Sequence, residues 1–249
     1  MSKLTVILPA AGKGTRLNLP YPKEILRLDN DNALIDNCFN FFRDYGRKDI
    51  EFIVIINENK PELLTYLAKY KNKFNISFIY QDPNEKEYTG AIKSARPLFG
   101  EHNIVLLPDT LMTLQPNQDL YTLIMSALQE TGFTFLYKEE IDEDDLVLKT
   151  KGALNINAEG LVLDYCDKPK DNKLGLYNAF WCAFGFRRRV FDSCMNFMEK
   201  STLKQKVNVK DIKTTPIYGS KAIKVKDYVD LGTWSEIRRL LINYEKDNN

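Results

Sequence analysis

The sequence predicts an α/β protein with a doubly wound, mostly parallel sheet. One observation is a set of short, continuously apolar segments, and the other is a set of amphipathic segments that alternate with them. The apolar segments are residues 4–8, 52–56, 76–80 and 104–107. Strands that are apolar throughout are typical of parallel sheets buried on both faces. Their alternation with helices predicts the doubly wound arrangement, in which ligands bind beyond the carboxyl ends of the strands.

The amphipathic segments predict three helices between these strands. In the first segment, Leu34, Cys38 and Phe42 fall on one face at helical spacing. The second helix begins with Pro61 in its first turn, and the third covers residues 90–98. Each of the first three predicted strands is therefore followed by a segment that can cover one face of the sheet.

After Glu130 the pattern changes to strands joined by turns, and it predicts an added antiparallel layer. Strands are expected at residues 133–137, 152–157, 161–164, 177–186 and 222–225, and helices at residues 189–200 and 233–244. The acidic run 139–145 predicts a solvated loop rather than a metal site. We expect a single domain over residues 1–249, with a core in residues 1–131 and an added half in residues 132–249.

The composition excludes several classes of function. Lys and Arg number 35 and Asp and Glu number 34, so the balanced charge gives no electrostatic reason to expect nucleic acid or an acidic membrane surface as a partner. No apolar run reaches the roughly 20 residues that cross a bilayer. A secretory signal is also missing before the first strand, so we expect a cytoplasmic protein.

The cysteines and the single histidine limit the kinds of catalytic and metal site that the sequence can form. Four scattered cysteines without a C-x-x-C pair predict reduced, buried thiols. His102 is the only histidine of the sequence, which excludes histidine-based triads and argues against a zinc site. Any catalysis must therefore use carboxylates, lysine and arginine, with or without a hard metal ion.

An anion-binding loop is predicted directly after the first apolar segment. The chain reads A-A-G-K-G-T-R from Ala10 to Arg16, and six residues separate Arg16 from Lys23. The two glycines let the backbone turn and bring N–H groups against a phosphate, while Arg16 and Lys23 supply positive charge. The alternative is that the two glycines only form a turn and that Arg16 and Lys23 are solvated on the surface. Because the dinucleotide and P-loop motifs are both incomplete here, we predict another mode of binding nucleotide phosphates.

Two aspartates are candidate ligands for Mg²⁺. Asp109 follows the fourth apolar segment and Pro108, so its carboxylate projects from the end of a buried strand, and Asp230 precedes a turn at Gly232. Mg²⁺ takes one or two carboxylates together with phosphate oxygens and water. Singly, Asp109 is equally well explained as a strand-end cap and Asp230 as a turn residue. Their occurrence together with the predicted anion loop favours the metal.

A second phosphate site is predicted at Lys168. Pro169 ends the preceding strand and keeps Lys168 at the edge of a site, where the lysine can hold a monophosphate while Asp167 binds a sugar hydroxyl. Taken alone, Lys168 is more simply a surface lysine beside a turn proline. The occurrence of the other motifs in the same chain favours a phosphate-binding role for Lys168.

Five short motifs follow one another over nearly the whole chain: L-P-A-A-G-K-G-T-R-L, P-K-E, L-L-P-D, D-K-P and D-L-G-T-W. In this order they resemble the sugar-1-phosphate nucleotidylyltransferase family, and glucose-1-phosphate thymidylyl- and uridylyltransferases most of all. The resemblance implies a Rossmann-like nucleotidyltransferase core in residues 1–131 and an acceptor-binding half with a sugar-binding antiparallel layer in residues 132–249. It implies an enzyme that uses Mg²⁺ to join a nucleoside triphosphate, dTTP or UTP, to a sugar 1-phosphate and releases pyrophosphate. Whether the protein forms a homo-oligomer is left open.

The resemblance also implies roles for single residues. Arg16 binds the β- and γ-phosphates, and Lys23 bridges the nucleotide phosphates and the attacking group. The implied catalytic residues are Arg16, Lys23, Asp109 and Lys168, and the implied metal ligands are Asp109 and Asp230. The implied nucleotide-binding residues are Ala10, Ala11, Gly12, Gly14, Thr15, Gln81, which meets the pyrimidine edge, and Gly90, on which the base lies flat. The implied acceptor contacts are Gly152, Asp167 and Asn178.

Three departures from the family pattern keep other functions open. The spacing between Arg16 and Lys23 is short and is similar to that of isoprenoid-precursor cytidylyltransferases. Lys151 stands before Gly152, where the family often has an aromatic residue, and residues 88–90 replace a run of small residues. The alternatives are a cytidylyltransferase acting on a phosphorylated alcohol or other non-hexose acceptor, and a non-catalytic nucleotide-sugar sensor.

Overall fold

The computed structural model describes residues 3–29, 31–139, 148–204 and 209–247. Its strands are β1 (Leu4–Pro9), β2 (Ile50–Ile56), β3 (Asn75–Tyr80), β4 (His102–Val105), β5 (Thr110–Thr113), β6 (Phe133–Glu139), β7 (Gly152–Ile156), β8 (Val162–Asp167), β9 (Ala179–Arg187), β10 (Ile223–Lys224) and β11 (Asp227–Asp230). Its α-helices are α1 (Asp36–Asn40), α2 (Glu62–Leu67), α3 (Glu87–Ser94), α4 (Leu120–Glu130), α5 (Phe191–Thr202), α6 (Val209–Ile212) and α7 (Trp234–Asp247).

Four parallel strands in the order β4-β1-β2-β3 form the predicted core of the sheet. Successive residues of β1 face opposite sides, so Val6 and Leu8 pack into one buried cluster and Ile7 into another. Residues of α1, α2 and α4 complete the first cluster, and residues of α3 and α5 complete the second. Both faces of the sheet are therefore covered by helices, which confirms the doubly wound prediction.

The second half of the chain continues the same sheet with antiparallel strands. β9 lies between β4 and β6 and is antiparallel to both, and β10 runs parallel to β6 at the edge. The β7–β8 hairpin joins β9 through the pair Ala153 and Phe180. Antiparallel pairing is thus confirmed for β6, β7, β8 and β9, whereas the strand expected at 222–225 is parallel to its neighbour. All of these strands extend the central sheet instead of forming a sheet of their own.

Several elements differ from the prediction. Helix α4 was missed, although Asp119 caps it by accepting a hydrogen bond from the Thr122 backbone N–H at 2.8 Å. The two-stranded ribbon of β5 and β11 was also missed. Glu139 ends a strand instead of opening the acidic loop, and the rest of that loop, from 140 to 145, lies outside the described residues.

Other expectations from composition agree with the structure. All four cysteines are free thiols, and three of them are buried. Among the described helices, none is long and apolar enough to cross a membrane.

A buried carboxylate fastens α1 to α2 and to the segment that follows α2. Asp36 is fully buried and accepts hydrogen bonds from the Tyr66 hydroxyl at 2.5 Å, the Lys69 ammonium at 2.8 Å and the Tyr70 hydroxyl at 2.9 Å. It also accepts a hydrogen bond from the Ala33 backbone N–H at 2.8 Å. Since three side chains converge on one anion, its loss leaves several donors without their acceptor.

We expect Asp36→Ala to lower the free energy of unfolding by about 1–3 kcal/mol, because buried donors lose their acceptor. The matched control is Asp192→Ala, which breaks an exposed ion pair with Arg96 and is expected to cost less than about 1 kcal/mol. Urea unfolding followed by circular dichroism measures both. Equal losses in the two variants would contradict the stabilising role of Asp36.

Candidate active site

The predicted anion-binding loop lies at the carboxyl end of β1. Ala10 is fixed to the sheet by a hydrogen bond from its N–H to the Ile55 carbonyl at 2.8 Å. Gly14 has a φ of +65°, a left-handed conformation that favours glycine, and its carbonyl accepts the Leu17 N–H at 3.2 Å. Gly12, Thr15 and Arg16 are exposed, whereas Ala10 and Ala11 are buried. The loop thus presents its glycine-rich part to solvent, as an anion site requires.

Two side chains from the loop between β2 and α2 hold the carbonyl groups of the anion-binding loop. The Lys60 ammonium donates to the Ala10 carbonyl at 2.6 Å, and the Asn57 amide donates to the Ala11 carbonyl at 2.6 Å. These donors compensate the partial negative charge of the carbonyl oxygens. A bound phosphate therefore meets less repulsion from the backbone of this loop.

Lys60 also forms a buried ion pair with Glu24. Its ammonium lies 2.7 and 2.8 Å from the two carboxylate oxygens of Glu24, and the Glu24 side chain is 1% exposed. Burial raises the pKa of Glu24 and lowers that of Lys60, and their mutual attraction opposes both shifts. Because Glu24 directly follows Lys23, this pair connects the anion-binding loop to the backbone of the predicted catalytic lysine.

Lys23 and Asp109 form an ion pair at the edge of the sheet. The Lys23 chain also passes Gly14, where an added Cβ would lie 3.9 Å from Lys23 Cγ. A pocket of about 360 Å³ opens here, and Gly14, Lys23, Asn57 and Lys60 form part of its wall. The structure therefore brings the loop, Lys23 and Asp109 together, as the sequence predicts.

The ribbon of β5 and β11 places Asp230 next to Asp109. Asp230 is paired with Thr110 in the ribbon, and the Leu231 N–H donates to the Asp109 carbonyl at 3.1 Å. Arg16 approaches the same turn, because an added Cβ at Gly232 would lie 3.5 Å from its Nη1. The two predicted metal ligands and Arg16 thus share one corner of the molecule.

Asp230 is surrounded by positive charge. Its Oδ2 pairs with the Lys151 ammonium, and its Oδ1 accepts the Gly232 N–H at 2.9 Å. Burial raises the pKa of Asp230, but Lys151, the Gly232 N–H and Arg16 together bring it below its usual value. The carboxylate is therefore ionised near neutral pH, which is the form that binds a metal.

These residues fit a magnesium ion. Each of the two carboxylates pairs with a cationic side chain, Lys23 or Lys151, so a metal ion would have to displace that side chain or share the carboxylate with it. Within the described residues, no group of three or more His, Cys, Asp and Glu side chains could enclose a metal. Mg²⁺ usually binds one or two carboxylates, and phosphate oxygens and water complete its coordination, so Asp109 and Asp230 could hold it.

The predicted acceptor contacts meet at the open end of the β7–β8 hairpin. Gly152 is paired with Asp167, and the Lys168 N–H donates to the Lys151 carbonyl at 2.9 Å. Lys168 has a φ of +51°, and the Lys204 ammonium donates to the Asp167 carbonyl at 2.9 Å. The structure therefore brings Gly152, Asp167 and Lys168 together.

Asn178 lies apart from these residues. Its side-chain oxygen accepts the Ile156 N–H at 3.0 Å, and its amide donates to the Ile156 carbonyl at 2.7 Å. The side chain thus continues the pairing of β7 at the opposite end of the strand from Gly152. Both polar atoms of the Asn178 side chain therefore bind the backbone, and its expected contact with the sugar stays a prediction.

Gly90 and Gln81, the two expected base contacts, both lie against the loop between β3 and α3. An added Cβ at Gly90 would lie 2.5 Å from the Glu85 carbonyl carbon, so the protein's own backbone fills that space. The Gln81 amide donates to the Glu85 carbonyl at 2.8 Å. Both residues hold the loop between β3 and α3, and glycine is required here by the close approach of that loop.

Three functional residues were missed at the level of sequence: Asn57, Lys60 and Glu24. Glu24 follows Lys23 in the P-K-E motif, which was the only local signal. The contacts of Asn57 and Lys60 depend on the position of the segment after β2, which a sequence pattern does not report.

Residues 4–247 match the sequence model of the family described as nucleotidyl transferase. The chain belongs to this family. The match confirms the expected family of nucleotidyltransferases and an enzyme of the nucleotidyltransferase class.

Individual relatives of this nucleotidyltransferase are distant. A 2-C-methyl-D-erythritol 4-phosphate cytidylyltransferase of Fusobacterium nucleatum is 29% identical over 110 residues, which are 43% of this chain and 45% of that protein. The matched stretch thus spans less than half the length of the curated relative.

Solved structures share the fold over almost the whole chain. An apo UDP-glucose pyrophosphorylase superposes with a TM-score of 0.78 at 19% identity, covering 100% of both chains. A UTP-bound UGPase from Acinetobacter baumannii has a TM-score of 0.70 at 17% identity, covering 98% of this chain and 93% of its own. A putative glucose-1-phosphate thymidylyltransferase from Bacillus anthracis has a TM-score of 0.71 at 18% identity, with 96% and 93% covered. At these identities the likeness shows the fold.

We expect Glu24→Gln to lower the free energy of unfolding by about 3–5 kcal/mol, because it leaves the buried Lys60 ammonium without an anion. Glu62→Gln is the control, since Glu62 is exposed at the same pocket. Urea unfolding measures both variants, and an unchanged stability of Glu24→Gln would contradict the importance of the pair.

The double variant Glu24→Leu/Lys60→Met separates stability from the position of the loop. Apolar side chains of similar volume should restore most of the stability. The Ala10 carbonyl nevertheless loses its donor, so nucleoside triphosphate should bind more weakly than to the original protein. Isothermal titration calorimetry measures that affinity, and a full recovery of binding would show that Lys60 has no effect on the loop.

Proposed function

We propose that this nucleotidyltransferase joins dTTP or UTP to a sugar 1-phosphate and releases pyrophosphate. The observation that supports this proposal is the meeting of Asp109 and Asp230 beside the anion-binding loop. Their carboxylates lie on neighbouring segments, with Lys23 and Arg16 at the same corner. That arrangement offers places for a metal and a triphosphate together.

The reaction follows from the charges. A phosphate oxygen of the acceptor attacks the α-phosphorus in line, a new P–O bond forms, and the bond to pyrophosphate breaks. The acceptor phosphate is largely ionised near neutral pH, so no general base is needed. The main barrier is repulsion, because two unit charges 4 Å apart interact by about 4 kcal/mol at an effective dielectric constant of 20. Positioning and charge compensation therefore supply most of the rate.

Each cationic side chain has a part in this compensation. We assign Arg16 to the β- and γ-phosphates, Lys23 to the region between the nucleotide and the attacking oxygen, and Lys168 to the acceptor phosphate. Asp109 and Asp230 would hold Mg²⁺, which would withdraw charge from the phosphate oxygens. The ion pair with Asp109, which keeps the Lys23 ammonium at the mouth of the loop, supports this assignment of Lys23.

The acceptor side supports a sugar phosphate. Asp167 is buried at the end of β8, where its backbone is paired with Gly152, and the Trp181 ring packs closely against Gly152. Next to it, the left-handed backbone of Lys168 turns the chain sharply at an exposed position. A carboxylate and an ammonium on adjacent residues can bind a hydroxyl and a phosphate of one small acceptor.

A cytidylyltransferase is the second candidate. The six residues between Arg16 and Lys23 favour it, as does the similarity to the cytidylyltransferase of Fusobacterium nucleatum. Under this alternative, the acceptor is a phosphorylated alcohol or another non-hexose compound.

A pyrophosphate-release screen distinguishes the candidates. Each nucleoside triphosphate is incubated with Mg²⁺ and with hexose 1-phosphates or phosphorylated alcohols, 2-C-methyl-D-erythritol 4-phosphate among them. Release with dTTP or UTP and a hexose 1-phosphate supports the proposal, and release with CTP and a phosphorylated alcohol supports the second candidate. Tight binding of a nucleotide-sugar without turnover in any combination would indicate a non-catalytic sensor.

We expect Asp109→Asn to reduce turnover on the order of 10²–10³-fold, because the metal loses a carboxylate ligand. The melting temperature should stay close to that of the original protein, since Asp109 is partly exposed. Asp227→Asn is the control, because Asp227 belongs to the same ribbon and pairs with Lys138 at an exposed position. Full activity of Asp109→Asn with Mg²⁺ would refute the assignment of the metal.

A further inference from the structure

Lys151 forms an ion pair with Asp230, one of the two carboxylates that we assign to the metal. Its ammonium pairs with Oδ2 of Asp230, and the side chain is 15% exposed. The ammonium also lies 5.5 Å from the centre of the Tyr228 ring. Because Oδ1 of Asp230 accepts the Gly232 N–H, both carboxylate oxygens have partners within the protein.

The backbone of Lys151 is fixed, whereas its side chain has room to move. The Lys151 carbonyl accepts the Lys168 N–H at the start of the hairpin, which anchors the residue. A pocket of about 570 Å³ lies beside the ion pair, and Lys138, Phe180 and Arg239 form part of its wall. A lysine side chain is flexible, so the ammonium can leave Asp230 without any movement of the backbone.

A divalent cation and the Lys151 ammonium compete for Asp230. Two positive groups on one carboxylate repel each other, and in a partly buried place water screens this repulsion incompletely. Triphosphate oxygens would supply the negative charge that allows both cations to remain in the site. The ion pair therefore disfavours the metal in the absence of nucleotide.

We propose that Lys151 is an exchangeable counter-ion of Asp230. It neutralises the carboxylate in the unliganded protein and leaves when a divalent cation binds, so the cation enters together with the nucleoside triphosphate rather than before it. This inference rests on the proposed function, because it takes Asp230 as a metal ligand. It gives Lys151 a positioning role, in which the lysine controls the order of binding.

Direct titration with Mn²⁺ tests the inference without any measurement of catalysis. Mn²⁺ is the probe because it takes the same oxygen ligands as Mg²⁺ and its unbound fraction is measured by electron paramagnetic resonance. In the absence of nucleotide, Lys151→Gln and Lys151→Met should bind Mn²⁺ about tenfold or more tightly than the original protein, because the competing charge is gone. With a non-hydrolysable triphosphate added, the difference between the proteins should largely disappear.

Two control variants separate the charge of Lys151 from other effects. Lys151→Arg keeps the positive charge and should keep the weak affinity for Mn²⁺. Lys138→Gln removes a lysine from the wall of the same pocket, where it pairs with Asp227, and should also leave the affinity unchanged. Thermal unfolding verifies that each variant is folded. If either Lys151→Gln or Lys151→Met fails to fold, the other neutral variant still tests the inference.

The inference is overturned if neither neutral variant binds Mn²⁺ more tightly than the original protein. Asp230→Asn then shows which assumption failed. If Asp230→Asn loses the Mn²⁺ that the original protein binds, the metal site stands and the role of Lys151 is wrong. If Asp230→Asn leaves the binding unchanged, the assignment of Asp230 as a metal ligand in the proposed function is wrong as well.

Discussion

The pairing of β5 with β11 is the constraint on which the candidate active site depends. β5 directly follows Asp109, and β11 ends at Asp230, so antiparallel pairing of the two strands brings these carboxylates together from distant parts of the sequence. The hydrogen bond from the Leu231 N–H to the Asp109 carbonyl extends this pairing past the ribbon. A ribbon of two short strands is marginally stable alone, so the large sheet beside it must hold it in place.

The same corner shows how the protein manages a dense set of charges. Lys23 pairs with Asp109, Lys151 with Asp230, and the buried Lys60 with Glu24. A buried ion pair adds little net stability, because desolvation offsets most of the attraction. The Glu24 and Lys60 pair is better explained by position, since it connects the anion-binding loop to the segment that carries Lys23.

Sequence patterns predicted the parts that depend on local composition. The apolar strands β1 to β4 and the loop after β1 follow directly from runs such as residues 52–56, and the doubly wound core follows from them. Helix α4 could also have been found, because Leu120, Ile124 and Leu128 recur at helical spacing. Sequence patterns could not predict the ribbon of β5 and β11, the contacts of Lys60 or the close approach of Glu85 to Gly90. Each of these depends on segments that meet only in the folded chain.

The paired charges also bear on how a polyanion can enter this site. A triphosphate would bind tightly to a site with three unpaired cations. The repulsion among those cations would, however, destabilise the protein before the triphosphate binds. Here Lys23 and Lys151 each have a carboxylate partner, so under the proposed function the arrival of a metal and a triphosphate would exchange one set of ion pairs for another. Such an exchange would keep the local charge nearly balanced at every stage. A site of this kind needs no excess of positive charge over the whole chain, which has 35 Lys and Arg and 34 Asp and Glu residues.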